Sequence, residues 1–557
     1  MANNGARALL DLLIAANIKE VFGYPGGAMI PLFDEIYQHE GITNYLVRHE
    51  QAAAHGAEAY GKVNNSIGCC LATSGPGATN LVTGIANAYM DSNALLCITG
   101  QVNQSALGKM SFQEVDIISI VEPITKKAIQ VRDANQLPEI LNELLLCAQS
   151  GRKGPVLLDV PKDVMIQEVD VGELIERFIK LQEITKVKEY PVQEADIEEL
   201  LKYLKESKKP VFLIGAGVIK SGCIKEIEQI IRYFKVPVVT TLHSIGIGAK
   251  TKYYYGMAGM HGSVIANKAL YNADLVISFG SRFDDRLVGN NKKFVEYGKK
   301  VHIDIDEKEL GKNVKTNLKV HADLKSFLKR LMQEEIVIDA QSWILQLNQF
   351  KQEINDQKTI FDGAYIHPKQ MFEEINKLNK DLIFVTDVGQ HQMWSAQYLK
   401  VKEGNHFISS GGLGTMGFGL PAAIGASVAK KDKTVVAFVG DGGVQMSIEE
   451  LAMLKQYNLN VKVFILNNER LGMVRQWQEL FCDSRFSNTI LNNNPDFSLI
   501  AQAYSLHYLK IEDKKDLHKI ANVFNNNNPM VVEVMIDKNA NVLPMIPANK
   551  SFEEIIL

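Results

Sequence analysis

Gly440-Asp441-Gly442-Gly443 follows the apolar run 435–439, and Asn467-Asn468 closes a second apolar run, 461–466. Asp441 and Asn468 offer a carboxylate and an amide oxygen, hard donors suited to Mg²⁺ or Ca²⁺, and such a cation commonly also takes phosphate oxygens of a ligand. Gly442 and Gly443 let backbone approach a phosphate closely beside a helix start. Both runs read as buried parallel strands. Ser447-Ile448-Glu449-Glu450 between them reads as a capping box opening a helix that ends near Tyr457. The stretch is then a βαβ unit, whose right-handed crossover brings Asp441 and Asn468 to one edge of a sheet. Either half alone is an ordinary strand-to-helix turn or strand-end loop; the pair in this context points to a cation and diphosphate site.

In an open α/β sheet, ligands bind beyond the carboxyl ends of the strands, so the residues after each strand are the next candidates. After 45–47 come Arg48-His49-Glu50-Gln51, leading into an Ala-rich helix over 52–60. Glu50 is a carboxylate at a strand end; its plainer reading is a first-turn acid favoured by the helix dipole. After 69–73 comes Ser74-Gly75-Pro76-Gly77-Ala78-Thr79-Asn80, a tight glycine turn into a helix. Gly215-Ala216-Gly217-Val218 follows another strand but completes no GxGxxG and has no acid at the dinucleotide spacing, so its nucleotide fingerprint is weak.

These candidates sit in three segments with one grammar of apolar strand, Gly-rich turn and amphipathic helix, which predicts an α/β chain of three doubly wound parallel-sheet domains. The expected units are 1–169, 190–331 and 363–540, joined by charged stretches at 167–191 and 333–362. Expected strands lie at 21–22, 45–47, 69–73, 95–99 and 156–160, then 211–214, 236–240, 275–279 and 301–305, then 382–386, 435–439, 461–466 and 530–536. The tail 541–557, with two prolines and a closing acidic-apolar run, is open between a disordered end and an active-site cover. Asn492-Asn493-Asn494 and 525–528 are low-complexity loops with no function suggested by composition. At 557 residues the chain exceeds one core. Sixty basic against 64 acidic residues leave a net charge of -4 and no basic stripe, which argues against a nucleic-acid partner. The six cysteines form no CxxC pair, and all but Cys223 and Cys482 lie in apolar or helical patterns, so buried thiols rather than disulfides or zinc are expected. With no membrane-length apolar run and no signal-like N-terminus, a cytoplasmic protein is expected, a removed organelle transit peptide being left open.

The chain resembles the thiamine-diphosphate enzymes over essentially its whole length, and within them the catalytic subunits of acetolactate (acetohydroxyacid) synthases. The resemblance rests on Tyr24-Pro25-Gly26-Gly27-Ala28, His49-Glu50-Gln51, the turn from Thr73 to Asn80, Phe112-Gln113-Glu114, the run from Asp159 to Asp163, Gly259-Met260-His261-Gly262, and Val388-Gly389-Gln390-His391-Gln392-Met393-Trp394. Gly-Asp-Gly with Asn-Asn marks the class; Arg282-Phe283-Asp284-Asp285-Arg286 and Gly472-Met473-Val474-Arg475-Gln476-Trp477 narrow it to the synthases.

The resemblance implies pyrimidine-binding, central Rossmann-like FAD-binding and diphosphate-binding domains. Asp441, Asn468 and the backbone carbonyl of Arg470 would hold Mg²⁺, leaving the side chain at 470 nearly free. Val388, Gly389, Gln390, His391, Gly414, Gly440, Gly442, Gly443, Leu471, Gly472 and Met473 would contact thiamine diphosphate, and Met416 would keep it bent. Glu50 would hydrogen-bond its pyrimidine ring, and because Glu50 and Asp441 lie on different domains the family's bridge between subunits implies a homodimer or a dimer of dimers. A structural FAD would contact Arg152, Gly215, Ala216, Gly217, His261, Gly280, Arg282, Asp304 and Asp323; the run 282–286 argues for the biosynthetic, FAD-containing type.

The implied reaction decarboxylates pyruvate and passes the two-carbon unit to a second pyruvate or to 2-oxobutyrate. Arg286 would clamp the acceptor carboxylate; its plainer reading is an exposed arginine paired with Asp284 or Asp285. Trp477 would meet the acceptor's alkyl group, or simply be core, and Gln113, Gly27 and Lys162 would line the same channel. A small regulatory subunit is left open. The rival readings are a pyruvate oxidase-type oxidoreductase using FAD and thiamine diphosphate, against which Arg286 and Trp477 speak, and a non-catalytic relative, against which the retained Glu50 and Asp441 speak.

Overall fold

The structure, a computed structural model, describes residues 3–185, 188, 190–356 and 365–557. The expected start of the third unit at 363 and part of the 167–191 connection lie outside the described residues. The apolar runs form three six-stranded sheets, all parallel, with helices against them. The first contains β1 (Glu20–Gly23), β2 (Thr43–Leu46), β3 (Gly68–Ala72), β4 (Leu95–Gln101), β5 (Lys127–Gln130) and β6 (Pro155–Pro161), in the order β2-β1-β3-β4-β6-β5. The second contains β7 (Pro210–Ile214), β8 (Val238–Thr240), β9 (Tyr254–Met257), β10 (Leu275–Phe279), β11 (Lys299–Asp304) and β12 (Leu318–His321), ordered β12-β11-β10-β7-β8-β9. The third contains β13 (Leu382–Thr386), β14 (Phe407–Ile408), β15 (Thr434–Gly440), β16 (Val461–Asn467), β17 (His507–Ile511) and β18 (Met530–Met535), ordered β14-β13-β15-β16-β18-β17.

The orders reverse direction between β1 and β3, between β7 and β10, and between β13 and β15, and the first and third turn back again at their far edges, β6-β5 and β18-β17. A crevice opens at such a switch point beyond the strand ends. The motifs read from sequence follow these strands: the turns after Gly23 and Ala72, the glycines after Ile214 and Phe279, and Val388 and Asp441 after Thr386 and Gly440.

The first and third sheets share one hydrophobic core, in which Phe22, Cys70 and Ile85 cluster with Ile424, Val435 and Val463. The contact at its centre is helix Glu50–Asn64 on helix Gly419–Ala429. A Cβ on Gly425 would stand 1.9 Å from the carbonyl oxygen of Gly56, so the two backbones touch. The second sheet packs on clusters of its own around Phe212, Phe279 and Phe327 on one face and Val211, Val276 and Phe294 on the other.

Two readings are corrected, for Ser447 and Cys223, and a third, left open, is narrowed. Ser447 makes no capping hydrogen bond; a 3₁₀ turn, Ile448–Glu450, precedes helix Leu451–Gln456. Glu450 turns instead to the first sheet, where it accepts from the backbone N–H of Arg48 (2.8 Å) and His49 (3.0 Å). Cys223 is fully buried at the start of helix Ile224–Phe234. The tail, open between a disordered end and a cover, is packed: Val542, Met545 and Ile546 are buried, and Met545 bridges Ile556. Gln476 donates to Val542 O and accepts from Val542 N, and Ile546 N donates to Met260 O. All six cysteines are free thiols, and among the described residues no helix is long and apolar enough to cross a membrane.

Gly425→Ala forces the two helices apart against rigid backbone, and overpacking of this kind costs about 1–3 kcal/mol or more. Its urea midpoint should fall clearly below wild type, whereas Gly27→Ala, whose Cβ would meet nothing within 4 Å, should unfold with wild type; equal midpoints for all three would contradict the contact.

Candidate active site and cofactor clefts

The β13/β15 switch point opens a cavity lined by Val388, Gly389, Gln390, His391, Met416, Gly440, Asp441, Gly442, Gly443, Asn468, Arg470, Leu471, Gly472 and Met473. All the residues expected around a diphosphate and cation therefore meet except Gly414, which does not line it. Asp441 is 1% exposed. Its Oδ2 accepts from Asn494 Nδ2 at 2.7 Å, while Oδ1 is buried without a partner. Burial pushes its carboxyl up to about 6, outweighing the bond from Asn494. Asn468 Oδ1 accepts from Arg470 N at 3.1 Å, which folds the Asn468–Arg470 turn toward the cavity, and the Arg470 guanidinium bonds Glu469 O rather than entering it. A buried, unpartnered carboxylate oxygen beside an amide oxygen is a donor set a hard cation satisfies.

The glycines there are required by close approach. A Cβ on Gly443 would lie 2.2 Å from Asp387 Oδ2, and one on Gly472 would lie 2.1 Å from Gln390 Oε1. His391, its Nε2 buried without a partner, is pushed down to about 3 by burial and so stays neutral.

Two members of this site escaped the sequence reading. Asp387 is fully buried and pushed up to about 7 by burial; its Oδ1 accepts from Gly417 N at 2.8 Å and its Oδ2 has no partner. Its position directly before the quoted Val388 motif was the available signal. Asn494 lies in the asparagine run given no function, and no local signal marks it, because its partner Asp441 is 53 residues away.

In the first unit, Asn80 Nδ2 donates to Glu50 Oε2 at 2.8 Å, and a Cβ on Gly77 would sit 3.1 Å from Glu50 Oε1. Glu50 is buried at the first position of its helix, capped by His49. Gln113 takes φ +60 and lies over Gly75, at φ +63. Lys162 opens helix Lys162–Ile166 directly after β6. Among the described residues, Glu50, Gln113, Gly27 and Lys162 line neither the diphosphate cavity nor the larger cleft described next.

That cleft, about 730 Å³, lies between the first and second units and is lined by Arg152, Ala216, Gly217, Gly280, Arg282, Asp304 and Asp323 among others. Gly215 and His261, expected with them, are elsewhere. Gly215 packs backbone to backbone on Gly280, where a Cβ would be 2.2 Å from Gly280 O. His261 is buried beside Arg286 and pushed down to about 4, by burial first and then by that guanidinium. Arg286 is half exposed and 3.6 Å from Asp285, as its plainer reading held, but its guanidinium also stands 6.0 Å from the Trp477 ring. Trp477 is 39% exposed and so is not core.

Three parallel sheets, a glycine-lined cavity with a buried, unpartnered carboxylate oxygen in the last and a buried glutamate in the first fit a thiamine-diphosphate enzyme. Residues 3–120 match the thiamine pyrophosphate enzyme N-terminal TPP binding domain, 197–331 the central domain and 387–534 the C-terminal TPP binding domain. The chain is 44% identical to the acetolactate synthase large subunit of Lactococcus lactis, over 99% of this chain and 96% of that one. It is 41% identical to the large subunit of Cyanidium caldarium (100% and 97%) and 38% identical to the isozyme 2 large subunit of Escherichia coli (99% of each). The chain belongs to the acetolactate synthase large-subunit family.

With its carboxyl raised from 3.8 to about 6, folded ligand-free Asp441 holds a proton that the unfolded chain has lost, so stability falls as pH rises across that window. The loss is about 3 kcal/mol at most and is complete above about pH 6. Asp441→Asn removes it: from pH 4.5 to 7.5 the variant's urea midpoint should drop less than wild type's, and parallel drops would contradict the assignment.

Proposed function

We propose that this chain is the catalytic subunit of an acetolactate synthase of branched-chain amino-acid biosynthesis, acting in the cytoplasm. It joins two molecules of pyruvate, with loss of carbon dioxide, to give 2-acetolactate, or pyruvate and 2-oxobutyrate to give 2-aceto-2-hydroxybutyrate. The division into units 1–169, 190–331 and 363–540 with a covering tail 541–557 belongs to the same reading. Bound thiamine diphosphate supplies the acidic carbon that adds to a 2-oxo acid and accommodates the charge left by decarboxylation. Asp441, Asn468 and the carbonyl of Arg470 would hold Mg²⁺ against its diphosphate, with Gly442 and Gly443 giving the backbone room. Glu50, buried and steadied by Asn80 through one oxygen, would offer the other to the pyrimidine ring of that cofactor as the acid–base group of the site. Since Glu50 lines neither cavity of its own chain, the reading requires a homodimer in which a second copy completes each site.

The observation that most supports a synthase over an oxidase is the meeting of Arg286, from the second unit, with Trp477, from the third, at 6.0 Å. A guanidinium beside an indole suits an acceptor with a carboxylate at one end and a short alkyl group at the other. The tail lies over the helix that bears Trp477 and over Met260, to whose Sδ Arg286 donates at 3.4 Å, and so helps keep water from this corner. The cleft lined by Arg152, Ala216, Gly217, Gly280, Arg282, Asp304 and Asp323 fits an extended FAD with no redox part in the reaction. The relatives' naming as large subunits supports a small regulatory partner.

With pyruvate, Mg²⁺, thiamine diphosphate and FAD, the protein should form 2-acetolactate while the flavin stays oxidised, and Glu50→Gln should lower that rate at least about 100-fold. Acetate with flavin reduction would overturn the synthase reading. Trp477→Ala should change the ratio of the two products from mixed pyruvate and 2-oxobutyrate by about 10-fold or more, because one methylene against a fitted wall is worth about 1–3 kcal/mol; an unchanged ratio would remove Trp477 from the acceptor site.

A further inference from the structure

The loop that ends at Met416 in the diphosphate cavity has an unusual set of anchors. Ser410 Oγ donates to Asn87 Oδ1 at 2.5 Å, Thr415 Oγ1 donates to the same atom at 3.1 Å, and Thr415 N donates to Ser410 Oγ at 2.9 Å. Asn87 belongs to the first unit. Its Nδ2 donates to Glu58 Oε2 at 2.8 Å, and Glu58 Oε1 in turn accepts from Asn93 Nδ2 at 2.6 Å. Asn93 Oδ1 accepts from Lys220 Nζ at 2.5 Å, and Lys220 lies on the second unit, in the wall of the 730 Å³ cleft. Glu58, Asn87, Asn93, Ser410 and Thr415 are all buried.

The chain of bonds is therefore continuous from one cavity to the edge of the other and crosses all three units; its members from Asn93 to Thr415 are buried, and Lys220 is half-buried where it meets the cleft. As a carboxylate Glu58 only accepts, so both asparagines present their NH₂ groups to it and their carbonyl oxygens outward, toward Lys220 at one end and Ser410 at the other. A second contact fixes the loop's other end. Asp91, also in the cleft wall, accepts from Gly411 N (3.1 Å) and Gly412 N (2.7 Å) and is held by His243 at 3.2 Å. Buried polar networks of this kind have few alternative arrangements, so a change at one member is felt at the others.

We propose that Lys220, Asn93, Glu58 and Asn87 are positioning residues that couple an anionic ligand in the cleft to the Ser409–Met416 segment, so that filling the cleft prepares the thiamine cavity. This rests on reading the cleft as the FAD site; the ligand chemistry it requires is a dinucleotide diphosphate able to face Lys220. An anion there keeps Lys220 charged, although burial and the neighbouring Lys62 push it down to about 7, and so keeps Asn93 and Glu58 in the orientation that orders Ser410. Lys153, which lines the same cleft but bonds Asn65 outside this chain of contacts, is the internal control.

The test measures the dissociation constant of thiamine diphosphate, with Mg²⁺, by tryptophan fluorescence with and without saturating FAD, and that of FAD with and without thiamine diphosphate. In wild type and in Lys153→Met each ligand should tighten the other by one common factor, within the roughly 5- to 150-fold range of such couplings. In Glu58→Gln and Lys220→Met the factor should fall toward one. FAD that binds wild type without altering thiamine diphosphate affinity, or a full factor in either variant, overturns the relay. If FAD does not bind wild type, the reading of the cleft falls, and amide exchange in the ligand-free protein decides the relay by itself. Lys220→Met should then speed exchange at Thr415 while Lys153→Met does not, and equal exchange in the two overturns it.

Discussion

The rest of the molecule depends on two glycine-bearing helices that touch through their backbones. A Cβ on Gly425 would stand 1.9 Å from Gly56 O, while one on Gly56 would press on the Phe22 ring at 3.1 Å, and the first and third sheets close into one core instead of two. The same contact fixes two functional ends at once. Glu50 is the first residue of one helix, and the loop carrying Met416 runs straight into the other. Small residues at such a crossing permit an approach that larger ones prevent, and dispersion over the closed interface rewards it.

Around this frame the site is held in a state that folding alone does not favour. Asp387, Asp441 and Glu450 are buried acids whose carboxyls are pushed up to about 7, 6 and 7, in each case chiefly by burial. Glu450 is compensated by two backbone N–H groups of the first unit and ties the units together. Asp387, Asp441 and Glu450 each keep one oxygen without a partner. What separates Asp441 from Glu450 is place: Asp441 lines the cavity of the third unit, where a ligand can satisfy its free oxygen, and Glu450 does not.

The fold class was legible because central parallel strands are apolar on both faces. The strands that went unread were β5, β9, β12, β14 and β17, and all five are sheet edges. β5 is half-buried throughout and β17 reaches full burial only at Ile511, so neither carries an uninterrupted apolar run. The diphosphate cavity was legible almost residue by residue because its motifs follow strands directly. Asn494 and the Lys220–Asn93–Glu58–Asn87 series were not, since each contact joins distant parts of the chain and each residue alone is an ordinary polar side chain. Ser447 misled for the converse reason: the capping-box spacing is present, but Glu450 finds a better use across the core.

The central claim is that one chain holds two halves of different thiamine sites, with Glu50 on one and Asp441 on the other. Co-expressing the Glu50→Gln and Asp441→Asn chains tests it, since each alone lacks one half. If the halves meet between copies, random dimers should recover about a quarter of wild-type 2-acetolactate formation, one intact site in the half of the dimers that are mixed. Activity no greater than that of the two variants measured separately would contradict the divided site.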